Sequence, residues 1–568
     1  MGGLDFITIL LYVAGLFAIS TVASRRNTNQ REMFSANRSS PWWASGLSGF
    51  MTVFSAGTFV VWGGIAYELG LVAVVINLTY GVASLLVGYF VAGRWNRMGV
   101  DTPAEYVSRR FGITGLHFFT WTMILKRIMG VSVSLYALGV MLTAQAGNGD
   151  PILPVSLETA IIIFGLLVVL YTMQGGLWAV LMTDVLQFIV LTVMVFIVAA
   201  LMLTESGGFS HYRENIPAGF LQPTGGKYTW FFLVGWTAIN FFTIGAEWAF
   251  VQRFISVRSP SDARKSACLF GVMYLITPLF WMLPPLLYRS QIEGVNKEQA
   301  YILASQSVLP PGLLGLMVAA MFSATASMVS SQLNVFAGVL TNDFYKPLLN
   351  ADASEKKLVL AGRFFTALLG ALLVATAIMV PHMGGAEKLI VTINSLLVVP
   401  LLAPALWGVF SRKIGLKHLL IVALTSFSLG LIMRFGLPAV TQEGDRLWAL
   451  TQYVLANKVI VELFVGVLFP VCLLIGFELL LEGDDIGAMN LDACCHASPH
   501  GEQPESPFDT FPARMVLISL MSLGIWVLFI AFREQSSRTI LLPIGVFLIL
   551  ASGTIEAVIR KIQTRRIA

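Results

Sequence analysis

Apolar runs of about 20 residues recur from one end of this chain to the other. Wound as an α-helix, such a run matches the hydrocarbon thickness of a bilayer. Inside lipid a backbone must satisfy its own polar groups, so these runs constrain the chain to a bundle of membrane helices. They fall near 4–24, 43–69, 71–93, 114–145, 156–175, 180–203, 229–251, 266–288, 311–341, 359–380, 387–410, 417–437, 458–482, 513–532 and 540–559, about fifteen spans. Composition removes the alternative of a large soluble core. Of 568 residues 56% are hydrophobic and only 12% charged, whereas soluble chains carry roughly 25% charged residues. The expected class is an all-α polytopic membrane protein. Gly2 to Thr21 lacks a basic leader region and reads as the first span, not a cleavable signal.

The net charge of +5 lies mostly in short loops, so it reports orientation and not nucleic-acid binding. With the N-terminus outside, about 24 Lys and Arg fall in cytoplasmic segments against about 10 outside, the bias of the positive-inside rule. Arg25, Arg26, Arg31 and Arg38 open the cytoplasmic set, and Arg560, Lys561, Arg565 and Arg566 close it. The expectation is a plasma (inner) membrane protein with its N-terminus outside and its C-terminus cytoplasmic.

Two spans are interrupted. In the stretch from Trp42 to Leu69 the centre reads Phe54-Ser55-Ala56-Gly57-Thr58-Phe59. Glycine tolerates a backbone that leaves helical geometry. A break at membrane depth must line a cavity or an ion site. Trp236 to Phe250 is the counterpart, with Asn240, Thr243, Gly245 and Glu247 in apolar surroundings. Each interruption opens a group of five spans. Five is odd, so two such groups must lie in opposite orientations, the inverted-repeat geometry of secondary transporters.

The polar residues inside spans each carry more than one reading. Ala320, Ser323 and Ser327 share one face of span nine. Their small and hydroxylated side chains suit either a dehydrated sodium ion or close helix packing. Asp184 stands near the start of span six as a carboxylate on an ion path or as an N-cap. Lys126 and Arg127 in span four can pair with Glu247 in span seven, hold an anionic substrate, or snorkel to the interface. The polar stretch from Leu481 to Pro512 holds Cys494-Cys495-His496 and His500. Adjacent cysteines lack the usual ligand spacing, which favours reduced surface thiols over a metal site. With Cys268 and Cys472 they make no disulfide framework.

Taken together, these residues resemble the sodium:solute symporter family of bacterial sugar, proline and sialic acid symporters. Tyr171-Thr172-Met173-Gln174-Gly175-Gly176-Leu177-Trp178-Ala179 and Thr183-Asp184-Val185-Leu186-Gln187 look like its signature. Thr102-Pro103-Ala104-Glu105-Tyr106-Val107, Gln252-Arg253 and Thr341-Asn342-Asp343-Phe344-Tyr345-Lys346 are similar to further family segments, in the expected order over 43–410. The resemblance implies a leucine-transporter-type five-plus-five inverted repeat with one extra N-terminal span and additional C-terminal spans. It divides the chain into an extra span and loop (1–42), a first repeat (43–204), a second repeat (205–410), additional spans (411–482), a polar cytoplasmic loop (483–512) and two accessory spans with a basic tail (513–568).

It also implies a sodium site formed by the carbonyls of Met51, Phe54 and Ala320 and the hydroxyl of Ser323. The family commonly has a second hydroxyl directly after that serine, where this chain has Ala324 and then Thr325. Asp184 and Ser327 match two positions of a second sodium site. Val53, Gly57, Thr58, Asn240 and Thr243 match the cavity wall of sugar-carrying members, with Arg127 and Glu247 added from the buried charges. Gly57 and Thr58 replace side chains that grip a sugar there. The expected function is sodium-coupled symport of a small polar organic solute, a sugar or sugar derivative, with sodium as coupling ion and no cofactor. The partners are solute, sodium and lipid bilayer, without nucleic acid; no enzymatic nucleophile–base pair is recognisable. Proton-coupled or uncoupled carriage of an organic anion is the alternative, and a transporter-like membrane sensor is another.

Overall fold

The computed structural model describes residues 1–24, 38–144, 152–172, 177–350, 352–443, 445–488 and 511–567. The segment Met173 to Gly176 of the signature, and Cys494, Cys495, His496 and His500, lie outside the described residues. Twelve described helices are long and apolar enough to cross a membrane. Two shorter apolar helices and the interrupted helix bring the total to the fifteen expected from the apolar runs. This is a multi-pass membrane protein.

In chain order the helices are α1 (Gly3–Ser24), α2 (Trp42–Met51, resuming at Thr58–Trp62 and Gly63–Leu69), α3 (Val72–Arg97), α4 (Pro103–Leu142) and α5 (Leu157–Thr172). Then come α6 (Leu177–Glu205), α7 (Trp230–Ala246 and Trp248–Ile255), α8 (Pro260–Gln291), α9 (Leu313–Pro347) and α10 (Glu355–Met379). The last five are α11 (Ala386–Trp407), α12 (Leu416–Arg434), α13 (Lys458–Leu480), α14 (Phe511–Arg533) and α15 (Arg538–Lys561).

α9 is the most enclosed of the twelve long spans, buried along most of Leu313–Val339. α1, α6, α4, α5 and α10 pack around it. Asp5 of α1 fixes its start: Oδ1 accepts the amides of Gly312 (2.6 Å) and Gly315 (2.9 Å), which the first turn of a helix leaves without partners. Gly315 must be glycine, because a Cβ there would collide with the Asp5 backbone. On the other side α3 and α8 approach through Gly81 and Gly271, each facing the other's carbonyl. Small residues allow membrane helices this closeness.

The family-like segment at 102–111 is the first stretch of α4. Thr102 caps it by accepting the Glu105 amide (3.1 Å), and Gly112 (φ +72°) turns the chain into the span proper. Arg110, fully buried, donates to the carbonyls of Gly408, Ser411 and Ile414 and to Asp485 Oδ2 at 2.6 Å. It thereby ties the ends of α11 and α13 to α4. α14 and α15 form a hairpin against α6.

Candidate functional site

The interruption of α2 runs from Thr52 to Ser55, and local hydroxyls hold it open. Ser55 Oγ accepts the Gly57 amide (3.2 Å), and Thr58 Oγ1 accepts the Ser55 amide (3.3 Å). The Ala56 amide is satisfied from a distance of 269 residues, by Thr325 Oγ1 of α9 at 2.9 Å. Gly57 itself is helical (φ −57°, ψ −32°). The expectation that its backbone freedom makes the break is therefore corrected. Its lack of a side chain leaves space instead, since a Cβ would come within 3.3 Å of Ser55 Oγ and Ser134 Oγ. Phe50, Phe54 and Phe59 anchor both sides of the break in an aromatic cluster with Trp281, Tyr274 and Tyr301.

The second interruption falls at Glu247, extended at φ −73° and ψ 133° between the two parts of α7. The carbonyl of Gly245 is taken by Trp95 Nε1 at 2.7 Å. Glu247, only 2% exposed, ion-pairs with Arg127 and, at 3.5 Å, with Lys126. Lys126 is buried. Snorkelling is thus replaced by pairing, as a buried charge requires. Two cations meet one carboxylate here.

A cavity of about 110 Å³ lies between the two interruptions. Val53, Gly57 and Thr58 of α2 line it, as do Asn240, Thr243 and Glu247 of α7 and Arg127 of α4, so all seven candidate solute residues reach one space. Ser55, inside the break read from sequence, joins them, and Thr52, Tyr80, Ser134 and Asn394 add polar groups that sequence reasoning missed. Asn240 Nδ2 donates to Thr79 Oγ1 (3.1 Å), which fixes the amide's orientation at the wall.

The ion-site candidates are not among the residues that line this cavity. Ala320, Ser323 and Ser327 are all buried on α9. Ser323 Oγ has no hydrogen-bond partner among the described residues. Met51 O accepts the Phe54 amide at 3.1 Å. Phe54 turns its ring into the aromatic cluster. Asp184 is buried inside α6, well beyond its first turn, so it is no N-cap. Its Oδ2 accepts Ser48 Oγ (2.5 Å) and its Oδ1 accepts Ser327 Oγ. Ser48 also accepts Arg253 Nε at 3.2 Å, so a buried guanidinium stands behind the carboxylate. Ser48 and Arg253 were not legible as partners, being 136 or more residues away in sequence from Asp184 or Ser48 respectively.

The sodium:solute symporter family profile matches residues 33–423. The chain belongs to the sodium:solute symporter family. Among similar family proteins, the sodium/glucose cotransporter of Vibrio parahaemolyticus is 28% identical over 482 residues, covering 76% of this chain and 86% of that protein. The sodium/sialic acid symporter of Aliivibrio fischeri is 25% identical, covering 76% and 88%. A Na⁺-coupled sialic acid symporter, solved in a substrate-bound outward-open state, superposes with a TM-score of 0.69 at 20% identity, covering 85% of this chain and 99% of that one. The fold is that of a leucine-transporter-type sodium symporter.

Proposed function

We propose that this protein couples the inward movement of sodium to the uptake of a small polar organic solute, a sugar or sugar derivative. The observation that carries the reading is the Ser323 hydroxyl, buried and without a partner among the described residues. Thr325 and Ser330 on the same helix bond back to their own backbone. A buried polar atom left unpaired is costly unless a ligand satisfies it. Its ligand set would be Ser323 Oγ with the carbonyls of Met51, Phe54 and Ala320, neutral oxygens that a dehydrated sodium ion accepts. Thr325 does not replace the hydroxyl missing at Ala324, because its oxygen already serves Ala56 and Met321. A second sodium at Asp184 and Ser327 would have to displace the hydroxyls that now donate to the carboxylate.

The solute would sit between the interruptions, against Val53, Gly57, Thr58, Asn240 and Thr243, with the Arg127–Glu247 pair at one wall. Relatives named for glucose and sialic acid support a sugar-like solute. Residues 43–204 and 205–410 form the two inverted repeats in this reading, flanked by 1–42, 411–482, 483–512 and 513–568. The protein sits in the plasma membrane, N-terminus outside. Rocking of one bundle against the other exchanges access. Because both ligands depend on α2, sodium raises solute affinity and solute raises sodium affinity by the same factor.

Two observations favour a second reading, proton-coupled carriage of an organic anion: Ala324 removes a hydroxyl, and Lys126 and Arg127 outnumber Glu247 at the cavity. Proteoliposome uptake separates the two. Labelled glucose and sialic acid should accumulate under an inward sodium gradient and not under a proton gradient in choline. Uptake driven by the proton gradient alone, without sodium, would select the second reading.

A further inference from the structure

We propose that a cleft between α11, α12 and α13 binds one anionic phospholipid, its phosphate held by Lys388, Arg434 and Lys458 and part of one acyl chain in the adjoining apolar chamber. This cleft is separate from the ion and solute sites. Arg434 on α12 ion-pairs with Glu462 on α13 and donates to Thr392 Oγ1 on α11 at 3.1 Å, so one guanidinium ties three helices together. Two cavities meet there and share Lys388, Arg434, Lys458 and Glu462. One, of about 230 Å³, has mostly apolar walls, including Leu396, Met433, Val461 and Val465. The other, of about 560 Å³, carries Lys227, Thr392 and Asn457.

Charge decides the headgroup. Glu462 is matched by Arg434, and Glu387 by Lys227 and Lys297. Lys388 and Lys458 face the same space with no carboxylate at ion-pair distance among the described residues. The opening therefore carries an excess of positive charge, which an anionic headgroup neutralises. A zwitterionic headgroup would bring its own cation against two lysines. The apolar chamber decides between a lipid and a soluble anion, which has no use for it. Ile432, Val440 and Tyr453 beside the cleft are exposed apolar groups on a protein whose apolar surface meets lipid. α11 turns Thr392 to this cleft and Ile390, Ile393 and Asn394 to the central cavity, so a lipid bound here braces a helix that lines it.

Native mass spectrometry of the full chain, titrated with dioleoyl phosphatidylglycerol or dioleoyl phosphatidylcholine, tests this. One phosphatidylglycerol should be retained at several-fold higher occupancy than phosphatidylcholine. Lys388→Gln with Lys458→Gln should lose that preference, and Val461→Phe, which fills the chamber without touching a charge, should lose retention. Equal occupancy by the two lipids, or a phosphatidylglycerol adduct unaffected by either variant, overturns the proposal. So does displacement of the lipid by inorganic phosphate with retention in Val461→Phe, which would mark a soluble-anion site.

Discussion

Ser323, Thr325 and Ser327 lie within little more than one turn of α9, and each hydroxyl has a different fate. Ser327 donates to Asp184, Thr325 accepts from the break in α2, and Ser323 finds no partner among the described residues. The shared face of Ala320, Ser323 and Ser327 could be read from spacing. What each oxygen meets could not, because the partners come from α2 and α6, more than 140 residues distant. Thr325→Val keeps the shape and removes the acceptor, leaving the buried Ala56 amide unpaired. It should destabilise the protein by about 1–3 kcal/mol in denaturant unfolding. Glu247→Gln removes the single carboxylate between buried Lys126 and half-buried Arg127 and should cost about 3–5 kcal/mol, the range for breaking a buried pair. An unchanged transition in either variant would contradict these assignments.

At the scale of elements, both interruptions were legible from polar residues inside apolar runs, but their mechanics were not. Gly57 drew attention as the flexible point. The chain actually leaves the helix at Thr52–Ser55, where hydroxyls substitute for lost backbone bonds. Gly57→Ala, whose single added methyl crowds Ser55 and Ser134 at the cavity wall without changing the helical backbone, should lower transport several-fold in proteoliposomes. A variant with normal uptake would show that solute passes elsewhere.

A second element-scale device joins α2, α11 and the segment before α9. Lys297 Nζ donates to Glu68 (2.6 Å) and Glu387 (2.8 Å), and Glu387 also accepts Tyr228 OH and pairs with Lys227. Burial alone would lower the Lys297 pKa, but hydrogen bonds to Glu387 and Glu68 outweigh it and hold it above the ordinary lysine value, about 10.4. A raised folded-state pKa contributes stability that is complete below the unfolded value and lost as pH rises through the folded one. The stability margin of the wild type over Lys297→Met should stay constant from about pH 7 to 9 and shrink only in stronger alkali. A margin that vanishes within that range would remove Lys297 from the network.

For the whole molecule, hydropathy alone yielded the fifteen helices, because bilayer thickness dictates their length. It did not reveal what fastens them. Asp5 caps a helix that begins 308 residues later, and Arg110 gathers α4, α11 and the segment after α13. Such long-range polar contacts leave no periodic trace in sequence. A sodium ion held at Ser323 would stabilise this bundle, so the purified protein's thermal stability should differ between sodium and choline. A ligand that binds only the folded state raises its melting temperature as concentration exceeds the dissociation constant. The wild type should show a sodium-specific rise that is lost in Ser323→Ala. A rise of equal size in both proteins would contradict a sodium site at Ser323.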